Sequence, residues 1–267
     1  MPVHPTAVLD SSAEIGSDVD IGPGAVIGAG VTLGDRCRVG PHACLAGPLV
    51  VGEGCVFGPS VAIGHDPQVK GRSGPFGRTR IGSGNVFREF TSVHRSMFED
   101  RETVVGDDGY FMACSHVAHD CVVGDHVVLC NGAMLAGHVT VGSRAFLSGA
   151  VGVHQFCRIG ELAMIGGGAV LTRDAPPYGL VVDSRPSRLE GINTVGLRRA
   201  GVSSEVRQAL RHAYQILFRT NAPLEERFAQ VPPDSEEVRC LIRFLRESKR
   251  GVVGFGATPR APSARAT

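Results

Sequence analysis

The sequence predicts an all-β parallel helix of stacked three-sided coils followed by a small α-helical domain. Three observations carry this: a composition suited to a thin core, a six-residue period of aliphatic residues, and a change to a helical period near residue 188. The chain has 267 residues, 36 of them glycine, with no tryptophan, three tyrosines and 6% aromatics, although 43% of it is hydrophobic. A thick single core of this size draws on large aromatic side chains, whereas here Val, Ile, Leu and Ala must fill the interior. The apolar fraction is too high for a disordered chain, and no glycine-every-third pattern marks collagen.

The period starts at Val3 and steps by six through Leu9, Ile15, Ile21, Ile27, Leu33, Val39, Leu45, Val51, Phe57 and Ile63. It holds phase at Ile81, Phe87 and Val93, and runs on from Val105 to Leu171. Of 29 such positions only Pro75 and Glu99 are not apolar. Two residues earlier stands a small side chain, as in Ala25, Cys37, Ala43, Cys55, Cys121, Ala133, Ala145 and Cys157. Residues two apart on a strand share a face, so both point inward. Glycine follows the aliphatic in 14 of the 29 hexads, Gly16, Gly34, Gly124 and Gly142 among them, and is expected to supply the positive φ of a tight corner. Each hexad is one short strand plus one corner, and three close a coil of 18 residues. Coils stack at about 4.8 Å, the spacing of neighbouring strands. The pattern resembles the hexapeptide-repeat proteins, and that resemblance implies a left-handed parallel β-helix, where general crossover rules give a right-handed one. Cys37, Cys55, Cys121 and Cys157 read as small core residues.

The β-helix is assigned to residues 1–184, with loops at about 65–80 and 94–104 that each span whole hexads and can leave the prism without disturbing its register. Loops on a rigid scaffold are where binding residues concentrate. Residues 185–251 read as the α-helical domain. Val206, Ala209, Leu210, Ala213, Tyr214 and Leu217 form one stripe behind Ser203 or Ser204 as N-cap, and Val238, Leu241, Ile242 and Leu245 form another behind an Asp234 and Glu237 capping box. Residues 252–267 read as a disordered tail.

A net charge of +1 gives no global field for nucleic acid. Residues 1–184 carry 12 basic and 18 acidic side chains and residues 185–267 carry 15 and 8, so an acidic partner would meet the C-terminal part first. The eight cysteines form no CxxC pair, the N-terminus lacks the basic and apolar runs of a signal peptide, and no apolar stretch approaches the roughly 20 residues of a membrane span. These features predict a cytoplasmic chain.

Val117, Leu135 and Val153 mark one corner on three successive coils, and His119, His138 and His154 follow them closely, with His116 just before. Four histidines thus line one edge over about 10 Å of axis. Three readings fit: a polar surface corner, a zinc site like that of the gamma-class carbonic anhydrases, and acyl transfer with a neutral histidine as general base. On the third, Asp120 beside His119 would fix the imidazole tautomer, and Gly137 would offer a backbone N–H to an oxyanion.

The segments Ser115-His-Val-Ala-His-Asp-Cys121, Leu135-Ala-Gly-His-Val139, Val153-His-Gln-Phe-Cys157, Asp174-Ala-Pro-Pro-Tyr178 and Gly191-Ile-Asn193, in this order, resemble the UDP-N-acetylglucosamine acyltransferases of lipid A biosynthesis. The resemblance runs from about residue 3 to 251. It implies a homotrimer with sites between neighbouring prisms, in which an acyl carrier protein thioester is the cosubstrate, a UDP-sugar the acceptor, and no cofactor or metal is used. It further implies His119 as base, Asp120 as its partner and Gly137 N–H as oxyanion donor. His116, His138, His154, Gln155, Asn193 and Arg199 would contact sugar nucleotide or acyl chain, and Gly167 would set acyl length, its missing side chain leaving room for a longer one.

The chain departs from that family in three places. After Pro67-Gln68 the acid is absent and the lysine displaced, which leaves Lys70 or Arg72 to replace it; the His-Arg-Gly-Thr element stands as His94-Arg95-Ser96-Met97; and the arginine pair that opens the helical domain stands as Arg199-Ala200. These changes keep open a paralogue acting on a 3-amino UDP-sugar, which would form an amide. A non-catalytic scaffold would leave the histidine edge without a role.

Overall fold

A computed structural model describes residues 3–183 and 186–254. The chain forms a left-handed parallel β-helix of three sheets. The first has nine strands, from Val8–Leu9 to Val170–Leu171; the second has eight, from Glu14–Ile15 to Arg158–Ile159; the third has ten and begins at Asp20–Ile21. Val117 pairs with Leu135 and Leu135 with Val153, each a step of one 18-residue coil. Across the loops Ile63 pairs with Val93 and Val93 with Val117, steps of 30 and 24 residues, so the first loop adds two hexads and the second one. That whole-number insertion is why the phase survives.

The inward aliphatics are buried as the period requires, with Ile27, Leu45, Ile63, Val117 and Leu135 at 0–1% exposure. Each contributes about 1.5–3 kcal/mol. Phe57, Phe87 and Phe111 stack along the third sheet with centroids 5.3 and 4.7 Å apart. Cys37, Cys55, Cys121 and Cys157 lie among them as buried free thiols, and burial pushes Cys121 up to about 12.

The corner glycines have a different reason from the one the sequence suggests. Fourteen of the 15 non-glycine residues with positive φ, from Asp18 to Leu162, stand three places after the inward aliphatic, not one. Gly24, Gly54 and Gly132 share that position. Glycine directly after the aliphatic answers close approach of the next coil: a Cβ on Gly142 would lie 2.5 Å from Glu161 N and 2.9 Å from the Gly160 carbonyl carbon. Asparagine tolerates the left-handed region, so Gly54→Asn, with φ +66 and nothing within 4 Å, should shift a urea midpoint little. Gly142→Asn should lower stability by about 1–3 kcal/mol, because backbone must move. Equal midpoints for the two variants would refute the distinction.

The period change near residue 188 precedes the helices. Arg188–Ile192 is a strand, antiparallel to Gly179–Val182 at the end of the third sheet. Helices α1 (Thr194–Arg199), α2 (Ser204–Arg219), α3 (Leu224–Gln230) and α4 (Glu236–Glu247) follow. Ser203 caps α2, its hydroxyl accepting from Val206 N, and α2 buries Leu210, Ala213, Tyr214 and Leu217. Ser235, not Asp234, caps α4 by accepting from Val238 N. Asp174, 1% exposed, fastens prism to helices: its carboxylate accepts from Arg158 N at 2.8 Å and Ser248 Oγ at 2.7 Å. Val252 and Val253, read from sequence as the start of the tail, pair with Asp174, Val253 N donating to its carbonyl at 2.9 Å. The rest of that expected tail, 255–267, lies outside the described residues. No helix among the described residues is long and apolar enough to cross a membrane.

Candidate active site

The histidine edge is the corner that carries the chain from the first sheet to the second. Two columns run along it. His119, Gly137 and Gln155 occupy one level of the turn in successive coils, and Asp120, His138 and Phe156 the next, with φ of 59, 62 and 66°. A left-handed residue other than glycine costs about 1–2 kcal/mol. Here a backbone ladder offsets it: His138 N donates to His119 O at 3.0 Å and Phe156 N to Gly137 O at 3.2 Å.

His119 and Asp120 form a dyad, His119 Nδ1 lying 2.7 Å from Asp120 Oδ2 with side-chain exposures of 14% and 6%. The carboxylate also accepts from Ser96 Oγ on Oδ1 and from Met97 N on Oδ2 at 3.2 Å, while Asp120 N donates to Thr103 Oγ1 at 2.7 Å. With Nδ1 facing a carboxylate it carries the proton, which leaves Nε2 as the free base. Gly137 lies against that edge of the ring. Among the described residues its N–H has no acceptor, whereas the flanking Ala136 and His138 N–H groups donate to Val153 O and His119 O.

His116 sits in the strand before the corner with Nδ1 2.8 Å from Ser92 Oγ. Burial, and then the neighbouring His94 and His119, push it down to about 4, so it stays neutral near pH 7. His94 meets it edge-on at 5.3 Å and donates from Nδ1 to Asp66 O at 2.5 Å. His138 is edge-on to His119 at 5.1 Å, and its Nδ1 is 4.0 Å from Asp120 Oδ2. Burial lowers its affinity for a proton, Asp120 opposing. His154 is exposed, its Nδ1 donating to Gln155 O at 3.1 Å, and Gln155 is exposed beside it.

Several residues of the site escaped the sequence reading. Phe156 stacks on His138 at 4.6 Å, and Phe98, from the second loop, lies 6.1 Å from the same ring. Arg101 and Arg72 lie over Phe98 at 4.6 and 5.2 Å, so of the two cations expected in the first loop Arg72 reaches this edge, while Lys70 is exposed with no side-chain partner among the described residues. Ser96, Phe98 and Arg101 fall in a loop without periodic pattern. Phe156 could have been found, since it stands three places after the inward Val153, off the inward positions of the hexad, where a large apolar side chain has no core to fill; it is 51% exposed.

Asn193 and Arg199 do not join the histidines. They line a cavity of about 1000 Å³ on the outer face of the third sheet, with Phe146, Met164 and Leu180. Both ends of the Asn193 amide are engaged within the chain: Nδ2 donates to Leu162 O, and Oδ1 accepts from Gly196 N as the cap of α1. Gly167 lies at another corner, between the third and first sheets, where a Cβ would meet only Gly149 O at 3.4 Å and Ser148 Cβ at 3.8 Å.

His119, Asp120 and His138 are the one group among the described residues whose ligand atoms, all within 4.8 Å of one another, could close on a cation. Asp120 has both oxygens engaged by donors of its own chain, and His119 turns Nδ1 toward that carboxylate. This hydrogen-bonded arrangement suits proton transfer at Nε2.

A family profile described as UDP N-acetylglucosamine O-acyltransferase, domain 2, matches residues 174–253. The acyl-[acyl-carrier-protein]–UDP-N-acetylglucosamine O-acyltransferase of Thiobacillus denitrificans is 45% identical over 255 residues, covering 94% of this chain and 98% of that protein. The enzyme of the same name from Syntrophobacter fumaroxidans is 45% identical over 257 residues, covering 95% and 100%. Among solved structures, the UDP-N-acetylglucosamine O-acyltransferase of Moraxella catarrhalis superposes with a TM-score of 0.91 at 33% identity, covering 95% of this chain and all of that one. That of Bacteroides fragilis gives 0.90 at 32%, covering 94% and 100%. With relatives this similar along nearly its whole length, the chain belongs to the acyl-[acyl-carrier-protein]–UDP-N-acetylglucosamine O-acyltransferase family.

Proposed function

We propose that the chain transfers a 3-hydroxyacyl group from an acyl carrier protein thioester to the glucosamine 3-hydroxyl of UDP-N-acetylglucosamine, the first step of lipid A biosynthesis. The observation that carries the mechanism is the His119–Asp120 contact of 2.7 Å, with Gly137 packed against the Nε2 edge of the ring. His119 Nε2 takes the proton of the sugar 3-hydroxyl as its oxygen bonds to the thioester carbonyl carbon. The Gly137 N–H donates to the oxyanion, and collapse breaks the C–S bond while the imidazolium returns its proton to the departing thiolate. Asp120 stabilises the imidazolium without taking its proton. The acyl carrier thioester is the only cosubstrate, with no cofactor or metal. On this reading His116, His138, His154 and Gln155 along the edge, and Arg72 at its rim, contact the sugar nucleotide or acyl chain.

The working unit on this reading is a homotrimer. The outer face of the first sheet is nearly uncharged, with Val26, Ala62, Met134 and Val170, and that of the third sheet carries Asp20 and Arg38 on its first two strands and then Val56, Val86, Val128 and Phe146. The second sheet instead bears Glu14, Arg80, Glu102 and Arg158. Packing the two apolar faces between copies would bring one copy's Asn193 and Arg199 to its neighbour's histidine edge. Free cysteines throughout the described residues support a reducing, cytoplasmic location. The open corner at Gly167 supports a long acyl chain.

The test is an assay of purified protein with UDP-N-acetylglucosamine and its 3-amino analogue, across a series of 3-hydroxyacyl carrier thioesters, before and after chelation. Ester formation on the 3-hydroxyl sugar, with chelation without effect, is expected. Preference for the amino sugar would move the chain to amide formation, and loss on chelation would reinstate a metal.

A further inference from the structure

We infer that Ser96 is a positioning residue for the reaction, its hydroxyl holding the Asp120 carboxylate in line with His119. The inference rests on the assignment of His119 as base. Ser96 stands in the second loop, 24 residues before Asp120, in the element where the family's pattern has glycine. It is fully buried, and its hydroxyl contacts Asp120 Oδ1.

The direction of that hydrogen bond follows from counting protons. A serine hydroxyl has one to donate and two lone pairs to accept with. Phe98 N donates to Ser96 Oγ at 3.0 Å, which uses one lone pair. The proton can go to Asp120 Oδ1 or to Phe98 O at 3.1 Å, and the ionised acceptor at the shorter contact takes it, since charge-assisted hydrogen bonds are about twice as strong as neutral ones. Asp120 is thus gripped on both oxygens from one short segment, Ser96 Oγ on Oδ1 and Met97 N on Oδ2, and Oδ2 also receives His119 Nδ1–H.

The grip matters because, among the described residues, Ser96 Oγ is the one donor on Oδ1, and beyond His119 itself only Met97 N holds Oδ2. Its other close cation-forming neighbour is His138, whose Nδ1 is 4.0 Å from the same Oδ2 and would compete for it. Without the Ser96 hydroxyl only the Met97 N bond of 3.2 Å opposes rotation of the carboxylate toward His138, and His119 loses the alignment that holds its tautomer and aim. Ser96 is itself held by the loops: Gly77 N donates to Ser96 O at 3.0 Å, and a Cβ on Gly77 would lie 2.2 Å from the carbonyls of Phe98 and Arg101. The first loop therefore clamps the second against the dyad. This gives the whole-hexad insertions a purpose beyond register.

The experiment compares Ser96→Ala and Ser96→Cys with the parent, the second variant keeping the volume and replacing a strong donor by a weak one. Three quantities are read: kcat, the two KM values, and the downfield proton resonance of the His119 Nδ1–H bonded to a carboxylate. A positioning role predicts a fall in kcat of about 10–100-fold with both KM values within about threefold, and loss or displacement of the resonance in both folded variants. A merely structural serine would lower the thermal midpoint and leave kcat and the resonance in place, which would overturn the inference. His119→Ala, run alongside, separates the two levels: if it keeps full activity the base assignment itself fails, whereas an inactive His119→Ala beside a fully active Ser96→Ala sinks only the role of Ser96.

Discussion

His119→Ala should lower kcat/KM by about 10³–10⁴-fold while the protein keeps its fold and oligomeric size. The magnitude follows from a group that acts twice, as base toward the sugar hydroxyl and as acid toward the leaving thiolate. A positioned acid–base residue contributes 10²–10⁴-fold, and the upper end corresponds to about 5.5 kcal/mol of transition-state stabilisation. Retention of the fold follows from what remains. Removing the imidazole leaves the 6%-exposed Asp120 carboxylate with its Ser96 and Met97 donors, so no buried charge is stranded. The backbone bond from His138 N to His119 O does not involve the side chain and persists. The two Michaelis constants should change little, because the imidazole acts on the transition state. Activity within tenfold of the parent would transfer the role of base to another group, with His138 the nearest imidazole at 5.1 Å.

The prism was legible because its physics repeats. One apolar residue in six fixed strand, face and register at once, and a one-residue slip would have turned the Val117, Leu135 and Val153 row outward. The same register places His119 and His138 on neighbouring turns. It could not say which turn position needs which backbone. Left-handed φ is carried here by Asp120, His138 and Phe156, while glycine one residue after the aliphatic serves packing between coils. Loops carry no period, so Ser96 and Phe98 were invisible as partners of Asp120 and His138. The strand Arg188–Ile192 and the cap on α4 were missed for a related reason: short elements at the end of a sheet are set by what they pack against, and local sequence is a weak guide there. Asn193 was found by resemblance alone. In one chain it lies on a different face from the histidines, so no pattern within the sequence could link them.

Gly137→Ala should lower kcat by about 10²–10³-fold with little loss of stability, and the reason is local to His119. The backbone at Gly137 is not in the left-handed region, so alanine costs nothing there in φ. A Cβ, however, would lie 2.5 Å from His119 Cε1 and 2.7 Å from Nε2, inside any real contact, and no closer atom of the main chain is involved. The imidazole must turn away. Turning it breaks the 2.7 Å bond to Asp120 and moves Nε2 off the line of attack; misplacement by about 1 Å alone can cost 10²-fold. The Gly137 N–H would stay in place, and this yields a cycle that isolates the cause. If displacement of the ring is the whole effect, Gly137→Ala added to His119→Ala should cost almost nothing further, since the group it displaces is already gone. If the double variant instead falls another 10²-fold, the added methyl is also spoiling the oxyanion site, which would place the developing negative charge within reach of the same glycine. Full activity of the single variant would refute both roles, because no reaction at Nε2 could tolerate a carbon 2.7 Å from the reacting nitrogen.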